Sequence, residues 1–203
     1  MTGAVVTASG VALAFSQSPS SPDDEVLDSP NVPGLVVVQQ ERFREDTEPR
    51  YRPDPTRGPP VALHVPALGV HVPVIKISAS AGVLVPPSDP QTLGWWSAGA
   101  RPGGRIGSVL ITGHTVSSGG GAFDDLATLR AGDTVAVGTR KGLIRYAVSG
   151  VTVYGKASLA RRAPEIFDQS VPSRLVLVTC DDWNGERYLS NAVVVADPIR
   201  RPR

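Results

Sequence analysis

From Pro60 onward, short apolar runs of Val, Ile and Leu recur about every ten residues, each closed by Gly, Pro, Asn or Asp. That punctuation belongs to strands joined by turns, and a chain built this way closes into a barrel or sandwich. The predicted strands are Val61 to Val65, Val70 to Ile75, Gly107 to Ile111, Thr134 to Val137, Ile144 to Val151, Arg174 to Thr179 and Ala192 to Ala196. Only Phe123 to Leu129 has a helical pattern, apolar at 123, 126 and 129 and approached through Gly119-Gly120-Gly121. Lys156 to Val171 carries arginines and prolines without a period, and is expected to be a long loop beside the strand that leads to Cys180.

The first 59 residues read differently. Met1 to Phe15 is uncharged and apolar, interrupted by Thr7, Ser9 and Gly10, and is shorter than the about 20 residues a membrane-spanning helix needs. Ala12 and Ala14 suit the end of an export signal, although the basic start of such a signal is missing. Ser16 to Pro59 is dense in Ser, Pro, Asp, Glu and Arg and cannot bury enough surface to offset the entropy of ordering. Its one apolar island, Leu35-Val36-Val37-Val38, is expected to pack as an extra strand or a short helix. The expected organisation is 1–15, a remnant of an export signal or membrane anchor; 16–58, a linker; and 59–203, one folded domain.

Charge sharpens that boundary. Residues 16–58 hold five Arg against nine Asp and Glu, a net of −4, whereas 59–203 hold fifteen Lys and Arg against ten acids, a net of +5. The whole 203-residue chain is +1, and no basic run exceeds two residues, so nucleic acid is not an expected partner. One cysteine excludes an intramolecular disulfide, and three histidines give no zinc-ligand spacing, so neither a metal nor a cofactor is expected. Asp181-Asp182 reads as a solvated loop.

Cys180 follows the strand-type run Leu175-Val176-Leu177-Val178-Thr179 and precedes Asp181-Asp182-Trp183-Asn184-Gly185. His114 closes Ser108-Val109-Leu110-Ile111-Thr112-Gly113 in the same manner. If the two strands are neighbours, an imidazole at one mouth can take the proton of a thiol at the other while the thiolate attacks a carbonyl. Acyl transfer also needs a donor aimed at the developing oxyanion. Arg187, a few residues beyond the cysteine, offers a permanently charged fork of donors. His64 and His71 read as ordinary strand positions; Trp95, Trp96 and Trp183 are candidates for lining the barrel mouth or for packing.

Ile111-Thr112-Gly113-His114 resembles the histidine motif of the sortases. Phe123-Asp124-Asp125-Leu126, with Leu129 and Gly132-Asp133-Thr134-Val135, resembles the stretch that follows it, and Leu177-Val178-Thr179-Cys180 is similar to the family's cysteine signature. Gly94-Trp95-Trp96 and Pro102-Gly103-Gly104 resemble the class F pattern of actinobacteria. The likeness spans about residues 60 to 198. It implies an all-β, closed eight-stranded barrel with one or two short helices, on the outer face of the cytoplasmic membrane or in the cell wall. It implies cleavage of a Leu-Pro-x-Thr-Gly type signal between Thr and Gly through a thioester on Cys180, with His114 and Arg187 as the other catalytic residues and Thr179 binding substrate.

The implied partners are surface proteins with a C-terminal sorting signal and an amine of a cell-wall precursor or pilin, or water. Membrane association is expected only through an N-terminal anchor. One position departs from class F. Its arginine stands just after the aromatic residue of the last strand, where this chain has Leu189 after Tyr188; Arg187 is two places earlier. A strand repeats every two residues, so Arg187 and Leu189 are expected to share a face. Arg174, at the far end of the cysteine's strand, is a poor substitute.

Two other readings compete. A catalytically silent barrel that binds peptide or wall components would account for Leu189 but gives no reason to keep both His114 and Cys180. An L,D-transpeptidase carries its His and Cys within a few residues of one another, whereas here they are 66 apart.

Overall fold

The computed structural model describes residues 11–12, 54–80 and 82–199. The Leu35 to Val38 island, most of the 16–58 linker and the export-signal segment apart from 11–12 lie outside the described residues. The strands are β1 (Val11–Ala12), β2 (Pro60–Val65), β3 (Val70–Ile77), β4 (Val83–Leu84), β5 (Leu93–Trp96), β6 (Ser108–Thr112), β7 (Thr134–Thr139), β8 (Gly142–Gly155), β9 (Arg174–Trp183) and β10 (Tyr188–Pro198). Eight of them close into a barrel in the order β10-β8-β7-β2-β3-β5-β6-β9. The pairs β3–β5 and β6–β9 are parallel and the other barrel pairs antiparallel. The short strands β1 and β4 pair separately. No helix among the described residues is long and apolar enough to cross a membrane.

Alternation builds most of the wall. In β2, Leu63 and Val65 point into the barrel while His64 between them faces out. β6 and the first part of β9 are buried on both faces, which explains their unbroken apolar runs. Leu175 and Leu177 fill the barrel beside Phe123, Leu126 and Tyr146. Val176 and Val178 face outward into a second apolar cluster with Leu159, Ala163 and Ile166.

Those last three residues belong to a helix, α1 (Lys156–Ile166), where the sequence led us to expect a loop. Its apolar positions 159, 163 and 166 do follow a helical stripe. Pro164 in the third turn removes one backbone donor and hides the pattern. What holds the helix is the sticky outer face of β6 and β9, which needs a cover. Arg174 fixes its far end: Nη2 donates to the carbonyls of Glu165 (2.8 Å) and Ile166 (2.9 Å), satisfying the last carbonyls with a cation, as a helix C-terminus favours.

The expected helix at Phe123 to Leu129 is a run of tight turns, with a single 3₁₀ turn at Leu126–Thr128. A spacing of three at 123, 126 and 129 is the 3₁₀ period, and all three side chains are buried as their pattern implied. The structure adds β5, a strand whose Gly94 and two tryptophans carry no alternation.

Candidate active site

The mouth of the site is set by the register of two parallel strands. Thr112 of β6 is level with Val178 of β9, so two residues further along each chain stand His114 and Cys180. The pairing continues past the formal end of β6: the Gly113 amide donates to the Val178 carbonyl (3.2 Å) and the Thr179 hydroxyl to the Gly113 carbonyl (3.1 Å). Glycine is required at 113, because a Cβ there would collide with the side chains of Leu93 and Phe123.

His114 is half-buried, and its Nε2 lies 2.7 Å from the Pro87 carbonyl oxygen. A carbonyl only accepts, so Nε2 carries the hydrogen and Nδ1 is the basic nitrogen of the neutral ring. The backbone after it is clamped by Asp124, whose two oxygens accept the amides of Val116 (2.7 Å) and Gly121 (2.9 Å). Asp124 had no assigned role in the sequence; its place in the Phe123-Asp124-Asp125-Leu126 stretch that resembles the sortase pattern was the signal.

Cys180 is half-buried on the outward face of β9, in series with Val176 and Val178. The strand does not stop there, as the sequence had suggested. It ends against β6 at Val178 but continues against β10 to Trp183, which pairs with Tyr188. Directly across from Cys180 is the buried Asn191, whose Nδ2 lies 4.0 Å from the sulfur and 3.2 Å from the Thr179 carbonyl. Burial pushes the Cys180 thiol up, and the ammonium of Lys156 pulls it part of the way back. Tyr188 is pushed up as well, first by burial; Ser117 opposes the shift, while the charges of Cys180 and Asp124 add to it.

Arg187 lies in the exposed β9–β10 turn, where its amide donates to Asn184 Oδ1 (2.8 Å) and its carbonyl accepts the Asn184 amide (3.2 Å). The Trp183–Tyr188 pair separates it from the Cys180–Asn191 row. Leu189 is on the face of Asn191 and Cys180 and is 40% exposed. Thr179 turns its hydroxyl inward, to the Gly113 carbonyl and to the Thr115 hydroxyl at 2.8 Å, so its side chain ties β9 to the His114 segment. His64 and His71 face each other across β2 and β3, ring centroids 5.4 Å apart, on the far side of the barrel from β9. Trp95 is core and bonds the Ala100 carbonyl, Trp96 packs in the outer cluster, and Trp183 sits half-exposed on Tyr188. Among the described residues no three His, Cys, Asp or Glu side chains are grouped to hold a metal ion.

Solved structures share this barrel. Sortase A from Corynebacterium diphtheriae, in a lid mutant, superposes with a TM-score of 0.55 at 19% identity over 72% of this chain and 73% of that one. Sortase C-1 from Actinomyces oris gives 0.54 at 21% over 69% and 73%, and Listeria monocytogenes sortase A gives 0.55 at 17% over 70% and 89%. At such identities the likeness is one of fold, and it makes the barrel sortase-like. No curated protein sequence matches the chain. A family model described as Sortase domain matches residues 63–199, and the chain belongs to the sortase family, whose members are transpeptidases acting at the cell surface on proteins with sorting signals.

Proposed function

We propose that this protein is a class F sortase that cleaves a Leu-Pro-x-Thr-Gly type signal between Thr and Gly and transfers the acyl group to an amine or to water. The observation that carries the reading is the position of His114 and Cys180 two residues beyond the paired Thr112 and Val178, at the end of the β6–β9 pairing.

The chemistry follows from that placement. His114 takes the Cys180 proton at Nδ1 and the sulfur attacks the Thr carbonyl carbon. The tetrahedral adduct collapses as the imidazolium returns its proton to the departing glycine nitrogen, leaving a thioester. An acceptor amine attacks the thioester, His114 takes the amine proton, and Cys180 leaves as thiolate. With the thiol raised by burial, only a minority of resting molecules carry a thiolate at neutral pH, so the proton transfer belongs to the attack step. Arg187 is the proposed donor to the oxyanion, reaching back from the hairpin turn, and Thr179 shapes the substrate site by tying β9 to the His114 segment. The protein works at the membrane's outer face or in the wall.

A silent peptide-binding barrel is the second reading, favoured by the apolar Leu189 on the face of Cys180. Incubating the full chain with a Leu-Pro-x-Thr-Gly peptide and hydroxylamine separates the two. The transpeptidase yields a threonine hydroxamate by mass spectrometry, absent with Cys180→Ala. A folded protein that gives no hydroxamate over a panel of related peptides is the silent barrel.

A further inference from the structure

The backbone of α1 begins two strands from that of Cys180, about 10 Å away with β10 between. Across the sheet, Asp181 of β9, Ser190 of β10 and Gly155 of β8 form one row. The next residues outward are Asp182, Leu189 and Lys156, so Lys156 adjoins the place where class F has its arginine.

Packing brings the helix over the same face. Its far end is tied to Arg174 at the start of β9, and its buried stripe lies on Val176, Val178 and Val193. The helix therefore runs back along β9 toward Cys180. Ten residue steps of helix cover about 15 Å, and the six steps from Arg174 to Cys180 cover about 20 Å, so the helix starts near the cysteine. Lys156 continues the 159-163-166 stripe by one turn.

The choice of lysine runs against helix physics. An N-terminus carries partial positive charge and favours acids, yet the first turn of α1 holds no acid and opens with an ammonium. Lys156 is exposed, so it does not serve the core.

We propose that Lys156 is the cationic partner of Cys180, stabilising the thiolate and, alongside Arg187, the oxyanion that forms beside it. The proposal deepens the transpeptidase reading and rests on it for the oxyanion. Other ionisable groups lie on the elements around the thiol: Tyr188 on β10, whose charge couples to Cys180, His114 past the end of β6, and Asp181 and Asp182 next along β9, with Asp124 acting on Tyr188. The carboxylates and the phenol oppose a thiolate, and His114 is consumed as the proton carrier. Lys156 acts in the thiolate's favour.

The test is the rate at which iodoacetamide alkylates Cys180, the chain's single cysteine, in the full-length protein from about pH 6 to about pH 10. Lys156→Gln is expected to move the inflection upward and slow alkylation at neutral pH about threefold to tenfold. Lys156→Arg restores the wild-type profile. Added salt should shift the wild-type profile toward that of Lys156→Gln, because an exposed charge is screened. Thermal melting should be unchanged, or slightly raised in Lys156→Glu.

An unchanged alkylation profile in folded Lys156→Gln overturns the proposal, even if the wild-type protein forms hydroxamate. A shifted profile without hydroxamate from the wild type supports the Lys156–thiolate pairing while the transpeptidase reading fails.

Discussion

The side-chain amide of Asn191 lies between the sulfur of Cys180 and the carbonyl oxygen of Thr179, 4.0 Å from the one and 3.2 Å from the other. It fixes the nucleophile's strand to β10, on the side of β9 opposite the His114 segment. Asn191→Ala leaves the buried Thr179 carbonyl without this donor and should cost about 1–3 kcal/mol of stability. It should also lower hydroxamate formation by about tenfold as the sulfur loses its fixed position. Chemical denaturation and the peptide assay measure the two effects separately.

Asp124 holds the backbone that follows His114 with two hydrogen bonds, to Val116 and Gly121. Asp124→Ala should lower activity by about tenfold or more through loss of His114 placement, and stability by about 1–3 kcal/mol. Gly121→Ala tests the same loop sterically, since a Cβ there would lie 2.6 Å from the His114 carbonyl oxygen. Both variants should retain the Cys180 alkylation of a folded protein and lose peptide turnover.

Leu189 sits on the face of Cys180, whereas Arg187 sits in the turn beyond the Trp183–Tyr188 pair. Leu189→Arg should therefore raise hydroxamate yield, by about tenfold or more if an oxyanion donor is limiting. Arg187→Gln should lower it by about 10²-fold or more if Arg187 reaches the oxyanion. Steady-state assays on these two variants and their combination decide which position serves the substrate.

Tyr146 is fully buried among barrel residues and its phenol is pushed up to about 12, first by burial; the Gly103 amide acts the other way and Asp54 adds slightly to the rise. Its folded value lies above the unfolded 10.0, so its contribution is complete below pH 10 and is lost as pH rises toward 12. Over that span the unfolded chain ionises first, and the loss is on the order of 2–3 kcal/mol. Denaturant titrations at rising pH should show this fall in the wild type and a shallower one in Tyr146→Phe, with the two proteins within about 1 kcal/mol at neutral pH.

Seven strands could be read from the sequence because each carried β-branched runs bounded by turn residues, and they fall where the barrel has them. β5 escaped because Leu93-Gly94-Trp95-Trp96 is buried throughout and neither alternates nor contains a β-branched residue. α1 escaped because Pro164 and its arginines masked the stripe of Leu159, Ala163 and Ile166. The two-sided burial of Leu175 to Val178 was the clue that something must cover β9, and that clue is visible in the unbroken apolar run. His114 and Cys180 were legible as chemically capable residues following apolar runs, but β9 continues past Cys180 to Trp183 because β10 goes on pairing with it. Their neighbours Asn191 and Lys156 were not, since only the β8–β10–β9 register, set by pairing at long range, brings them to the thiol.

The central claim is that Cys180 forms a thioester with the threonine of a sorting signal, and intact-mass spectrometry of an acid-quenched mixture of the full chain and peptide tests it most directly. The account predicts a mass increase equal to the acyl portion ending at Thr, mapped to Cys180 by digestion, lost in Cys180→Ala and strongly reduced in His114→Ala. A folded wild-type protein that cleaves the peptide with no adduct on Cys180, or that carries the adduct elsewhere, would contradict it.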